Sequence, residues 1–266
     1  MSGLVLFENV DGVALVTLNR PEAMNALNRG LFSDLRRLVA EIDSDPAIKV
    51  VVVRGSGSRA FCVGVDLKER QSISDEEADD YRRFVVFPFY LAIHERSKPM
   101  VAAVSGHCLG GGFELALAAD VIVAGESAQF ALPEVRWGII PAGGALQMLT
   151  RIIGPLRTKD LAMTGRRISA AEAFSMGVVS YLVPDDSLLE KAMETARMIA
   201  TNVPTAVRGV KRSVDHVVGF RQGFQFDVEI SDVCYFSPER RAAMARFGDQ
   251  SERMAPPARV EGKINE

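Results

Sequence analysis

The chain has 266 residues, 48% of them apolar and 24% charged, with a formal net charge of -3. That composition is ordinary for a folded protein and excludes a disordered, collagen-like or coiled-coil chain, and the length is enough to bury a large core. The mild acidity offers nucleic acid or anionic lipid no long-range attraction, while Cys62, Cys108 and Cys234 are too scattered for a zinc cluster or a disulfide framework and suit a reducing cytoplasm.

The N-terminal MSGLVLFENVDG lacks a basic n-region, and no apolar run approaches the roughly 18 residues of a membrane span, so a soluble, untargeted protein with no membrane partner is expected. LVLFENV and VALVTLN flank Asp11-Gly12, which reads as a hairpin. From Asn28 to Asp43, Leu31, Leu35, Leu38, Val39 and Ile42 recur at helical spacing, and Asp45-Pro46 ends the run. KVVVVRG follows as a buried strand. A long helix is expected from the capping signature Ser74 to Glu77 towards Arg96, kinked or split at Pro88.

MVAAVSG is the next strand, the glycine triplet opens a short helix, and VIVAG is a strand again. FALPEVRWGIIPAGGA reads as a loop leading into a helix from about Pro141 to Arg151. From Pro155 onward the pattern is helical apart from a short strand within Val178 to Val183, and the terminal MAPPARVEGKINE reads as a poorly ordered tail. Pattern alone supports a mixed α/β chain ending in a helical layer.

Several motif matches lead nowhere. GSGSRA fits a dinucleotide fingerprint after a strand, but FCVGVDL does not open a helix. Adjacent His107 and Cys108 of an extended segment point to opposite sides, so a packed cysteine beside a loop histidine is expected rather than a nucleophile and its base. His94 and His216 stand alone and read as helix-face residues.

LGGGFELALAAD carries more. Successive glycines at a helix start let the backbone approach a ligand with first-turn N–H groups that have no intrahelical partner. Glu114 in that turn could merely complement the helix dipole. Its neighbours Phe113, Leu115, Ala116, Leu117, Ala118 and Ala119 imply a buried helix, however, where an unpaired carboxylate is costly. Glu134, in FALPEVRWGII, lies in similar apolar company. Two such acids facing one pocket would separate into proton holder and proton acceptor. In FCVGVDLKER, Gly64 permits a bend that presents the Val65 N–H, and with Gly111 this makes a two-donor oxyanion hole.

At these residues the chain resembles the enoyl-CoA hydratase/isomerase, or crotonase, superfamily over nearly its whole length. The resemblance rests on LNRPEAMNAL, AFCVGVDLKE, KPMVAAVSGHCLGGGFELALAAD, FALPEVRWGIIPAGG, MTGRRISAAEAFSMGVV and SPERRAAMARF in this order. It implies a crotonase-like spiral of ββα units in residues 1–200, holding the active site, and a C-terminal helical oligomerisation region in 201–266 that assembles a homotrimer or homohexamer. It places the oxyanion hole on the N–H groups of Val65 and Gly111 and the catalytic acids on Glu114 and Glu134. It implies a coenzyme A path between a loop with Ala23, Met24 and Ala26 and the segment Val65, Asp66, Leu67 and Lys68, with Lys68, and secondarily Arg20 or Arg59, towards the phosphates. Coenzyme A enters as part of the acyl-CoA thioester substrate, so no separate cofactor or metal is expected.

The expected activity is hydration of an enoyl-CoA, because relatives with other chemistries commonly lack one or both glutamates. Carnitinyl-CoA dehydratase, whose sequences FELALAAD and FALPE also resemble, and enoyl-CoA isomerase are the enzymatic alternatives. A catalytically silent acyl-CoA-binding protein is the alternative of another class. IPAGGALQML departs from the loop common in hydratases, with Ala142 and Ala145 in place of glycines and Met148 in place of arginine; with Trp137 it is expected to reshape the acyl wall. Phe113 is expected in the core.

Overall fold

The structure is a computed structural model that describes residues 3–218, 220–237, 239–240 and 243. It opens on the expected hairpin: β1 (Val5–Val10) and β2 (Val13–Leu18) pair antiparallel, with Asp11 and Gly12 turning at φ 54° and 84°. Both positive φ values match the strand twist, as the Asp-Gly pair suggests. Helix α1 (Arg29–Ser44) is begun by Asn28, whose side chain accepts the Leu31 N–H at 2.9 Å. Its Leu31, Phe32, Leu35, Leu38 and Ile42 form the buried face.

β3 (Val50–Gly55), β4 (Ala60–Cys62) and the short α2 (Leu67–Gln71) follow. The capping box at Ser74 forms as expected and starts α3 (Asp75–Tyr81), and the long helix is split just before Pro88, as expected, though by a π turn. This π turn, Arg82–Val86, sends the Phe87 N–H to the Arg82 carbonyl and passes into α4 (Phe87–Glu95). The widened turn accommodates the ring and missing N–H of proline just before they would collide with an α-helical ladder.

β5 (Met100–Val104), β6 (His107–Leu109), α5 (Gly111–Leu117), β7 (Val121–Gly125) and β8 (Gln129–Ala131) come next. After a 3₁₀ turn at Glu134–Trp137, α6 (Ala145–Thr164) begins later and runs further than the sequence suggested. It bends at Gly154, where φ is 80°, so that Pro155 starts the second half instead of interrupting the first. β9 (Ile168–Ser169), α7 (Ala170–Ser175), β10 (Tyr181–Val183), α8 (Leu188–Ala200), α9 (Pro204–Val218) and α10 (Phe220–Tyr235) complete the described elements. The terminal MAPPARVEGKINE lies outside the described residues.

The strands form a six-stranded sheet ordered β1-β2-β3-β5-β7-β10, parallel except for β1, and a four-stranded sheet ordered β4-β6-β8-β9, parallel except for β9. After the opening hairpin, which adds two strands to the large sheet, each turn of the chain adds one strand to each sheet, giving the mixed α/β spiral that the resemblance implied. Both faces of the centre of the large sheet are covered, so the central strands β5 and β7 are apolar throughout, whereas the edge strand β1 alternates and carries Glu8 and Asn9. Val51 and Val53 pack with Leu35 and Leu38 of α1 and Ile93 of α4, while Val50 and Val52 pack with Leu188, Ala192 and Met193 of α8. Among the described residues no helix is long and apolar enough to cross a membrane.

Candidate active site

Three neighbouring parallel strands of the small sheet, β4, β6 and β8, end on one edge, and the residues singled out by sequence follow directly after them. Gly64 leaves β4 at φ +88°, and a Cβ there would lie 2.8 Å from the Gly111 nitrogen. Gly110 leaves β6 at φ +53°, and a Cβ there would lie 3.1 Å from Glu134 Oε1. Only glycine lets the three segments come this close.

Val65 and Gly111 are thus brought together. The Leu27 N–H donates to the Gly64 carbonyl at 2.8 Å and the Asp66 N–H to the Leu27 carbonyl at 3.0 Å, a bridge that leaves the Val65 N–H unused. Gly111 starts α5, so its N–H has no acceptor within the helix. The Tyr90 hydroxyl donates to the Gly111 carbonyl at 2.7 Å and steadies that residue from behind.

Glu114 and Glu134 are buried, at 5% and 8% exposure, and neither forms an ion pair among the described residues. Glu114 Oε1 accepts the Gly143 N–H at 2.6 Å and the Ala145 N–H at 3.4 Å. Burial nevertheless outweighs these donors and pushes its carboxyl up to about 7, with a smaller contribution from the charge of Asp227 on α10. Glu134 Oε2 is buried with no hydrogen-bond partner. Its carboxyl is raised well above the ordinary range, first by burial and then by the charge of Glu114.

The segments assigned to coenzyme A lie side by side. Ala23 ends a 3₁₀ turn, Met24 and Asn25 are left-handed at φ 51° and 56°, Ala26 is buried, and Leu27 bridges to Val65. Asp66 caps α2, accepting from the Lys68 and Glu69 N–H groups, while Leu67 starts that helix. Arg20 is committed to Asp66 at 3.0 Å, whereas the Lys68 and Arg59 side chains are exposed.

Sequence reading passed over Asn25. Fully buried, it accepts the Arg20 N–H at 3.0 Å and donates to the Ser56 and Ala60 carbonyls at 3.0 and 2.9 Å, stitching this loop to β4. An asparagine among apolar residues, tolerant of left-handed backbone, was the available signal. Tyr90 and Gly143 carried no local signal.

The discarded motifs stay discarded. GSGSRA leads from β3 into β4 and opens no helix. Cys108 is buried, donates to the Gly112 carbonyl, and has its thiol raised by burial, the opposite of a nucleophile. His216 is exposed on α9 as expected, but His94 is no simple helix-face residue: its ring stacks on Phe220 and meets the Gly143 carbonyl. Phe113 is core, 5.1 Å from Phe130. Ala142 and Ala145 are buried, Met148 and Trp137 half-buried. A wide groove between α1 and the π turn, lined by Arg29, Arg36, Arg37, Tyr81 and Phe84, shares none of these residues, and its two acids, Glu77 and Asp80, are exposed.

Two buried acids without an ion pair among the described residues, next to two unused backbone donors, are an arrangement able to stabilise a developing oxyanion and to move protons beside it. The chain belongs to the enoyl-CoA hydratase/isomerase family, whose sequence profile matches residues 8–249. It is 37% identical over 94% of its length to a probable enoyl-CoA hydratase of Mycobacterium bovis, covering 93% of that protein. It is 36% identical over 88% of its length to the mitochondrial enoyl-CoA hydratase of Pongo abelii, covering 80%. A carnitinyl-CoA dehydratase structure from Mycobacterium avium superposes with a TM-score of 0.83 at 32% identity, over 92% of this chain and 97% of that one.

Proposed function

We propose that the protein is an enoyl-CoA hydratase, adding water reversibly across the 2,3 double bond of an enoyl-CoA thioester. The carrying observation is the buried pair Glu114 and Glu134, without an ion pair among the described residues, beside the unused N–H groups of Val65 and Gly111. The two donors polarise the thioester carbonyl, so that charge moving onto oxygen as the enolate forms meets dipoles already in place. Cβ becomes electrophilic. Glu114, raised only to about 7, takes the proton of a water attacking Cβ. Glu134, whose carboxyl burial and the neighbouring Glu114 charge raise well above the ordinary range, delivers a proton to Cα. The coenzyme A moiety runs between Ala23, Met24 and Ala26 on one side and Val65 to Lys68 on the other, with the exposed Lys68 meeting a phosphate.

Residues 1–200 form the catalytic spiral in this reading, and 201–266 the assembly region of a homotrimer or homohexamer. Exposed Phe226, Ile230 and Val233 on α10, and Val210 and Val214 on α9, recur at helical spacing and supply apolar faces for that purpose. A cytoplasmic location goes with the reading.

Loss of the conjugated thioester absorbance of crotonyl-CoA, followed for wild type, Glu114→Gln and Glu134→Gln, tests the proposal. Turnover in wild type and its loss in both variants is the expected result. Coenzyme A binding without turnover of crotonyl-CoA or of any polar or branched enoyl-CoA would leave a silent binding protein. A second reading, dehydration of a polar acyl-CoA, draws on the likeness to the Mycobacterium avium structure and is separated by substrate preference alone.

A further inference from the structure

Gly143 is gripped at both of its peptide groups. Its N–H donates to Glu114 Oε1 at 2.6 Å, and its carbonyl lies 3.1 Å from His94 Nε2. A carbonyl only accepts, so this contact requires the proton on Nε2 and fixes the histidine tautomer. The imidazole is itself immobilised at the end of α4, stacked on Phe220 of α10 with ring centres 3.8 Å apart and planes 26° apart. Phe220 in turn packs on Phe224 at 5.4 Å.

Burial above all keeps the ring neutral: burial, and then Arg96 just beyond α4, push the His94 pKa down to about 3; Lys211 of α9 acts in the same sense, and the hydrogen bond to the Gly143 carbonyl and the charge of Asp120 oppose them without prevailing. A neutral donor is therefore present throughout the range in which Glu114 titrates. The loop it anchors, Pro141-Ala142-Gly143-Gly144, contains two glycines whose backbones are intrinsically free. The His94 contact fixes the carbonyl side of the same residue whose N–H meets the carboxylate.

We propose that His94 is a positioning residue for Glu114, acting through Gly143: its Nε2–H holds the loop whose N–H orients and stabilises the glutamate carboxylate. The catalytic part of this role rests on the hydratase reading, whereas the anchoring part does not. The test compares wild type with His94→Leu, which removes ring and donor, and His94→Gln, which restores a donor at similar reach. Two readouts run in parallel: crotonyl-CoA hydration, and a ¹³C-glutamate NMR titration in which Glu114→Gln assigns the Glu114 carboxyl signal.

In His94→Leu the Glu114 titration is expected to move upward from about 7, because its carboxylate loses donor support. kcat is expected to fall roughly tenfold to a hundredfold with KM little changed, as for other orienting partners of reactive groups. His94→Gln should recover most of both. An unmoved Glu114 titration in His94→Leu, or a shift equally large in His94→Gln, overturns the proposal. Should His94→Leu fail to fold, His94→Phe keeps an aromatic ring on Phe220 without the donor and is read in the same way. If wild type shows no hydration, the functional reading fails, while the titration still decides the anchoring role.

Discussion

Glu114 in the first turn of α5 and Asp120 just beyond its last meet opposite fates. Asp120 bonds to Arg96 Nη2, to Lys211 Nζ at 2.8 Å and to the Met100 N–H at 2.7 Å. Burial pulls its carboxyl upward, but the two cations outweigh it and hold the group below the usual carboxylate range. Glu114 receives only backbone N–H groups, and burial wins. One acid knits β5, α4 and α9 around its helix. The other is kept costly, which leaves its proton available to a substrate.

The largest effect that tests this contrast is kinetic. Glu114→Gln and Glu134→Gln should each lower kcat for hydration by about 10²–10⁴-fold, the usual worth of a positioned acid or base, while Asp120→Ala should leave kcat nearly intact. Asp120→Ala should instead cost about 3 kcal/mol in urea unfolding, because Arg96, 2% exposed, is left charged without its partner. An Asp120 variant that loses turnover at full stability would break the contrast.

A smaller effect has the opposite sign. The folded-state pKa of Glu114 lies above its ordinary 4.5, so the native protein holds a proton that the unfolded chain releases, and wild-type stability should fall as pH rises from 4.5 to about 7. Glu134, also raised, acts in the same direction. Glu114→Gln should therefore be more stable than wild type at pH 8, by on the order of 2–3 kcal/mol, and equal to it near pH 4, as thermal unfolding at the two pH values would show. Asp120 runs the other way: its pKa is depressed, so its contribution is present above about 3.8 and lost as pH falls below that value. Smallest of all, Glu194→Ala removes the surface pair with Lys191 at 2.9 Å and should change stability by less than about 0.5 kcal/mol.

The hairpin at Asp11-Gly12, helix α1 with its Asn28 cap and the Ser74 capping box were legible in sequence because each depends on residues a few positions apart. Strands β6 and β8 were not, since three residues set no period. A division of the long helix near Pro88 was legible, but not its form: a π turn satisfies the proline while keeping Phe87, Phe89, Tyr90 and Ile93 all buried. Glu114 and Glu134 were conspicuous as acids in apolar company. Asn25 was visible in principle, through its polar side chain in an apolar loop.

By itself the sequence determined the element types, the apolar faces and the presence of two acids and a glycine-flanked pair of donors, because propensity, periodicity and capping act over a few residues. Only the tertiary structure decided that β4, β6 and β8 end on one edge, that Gly64 touches Gly111, and that His94 reaches Gly143. Those meetings join residues far apart in the chain, and parallel strand pairing with its covering helices, not any local preference, brings them within hydrogen-bond range.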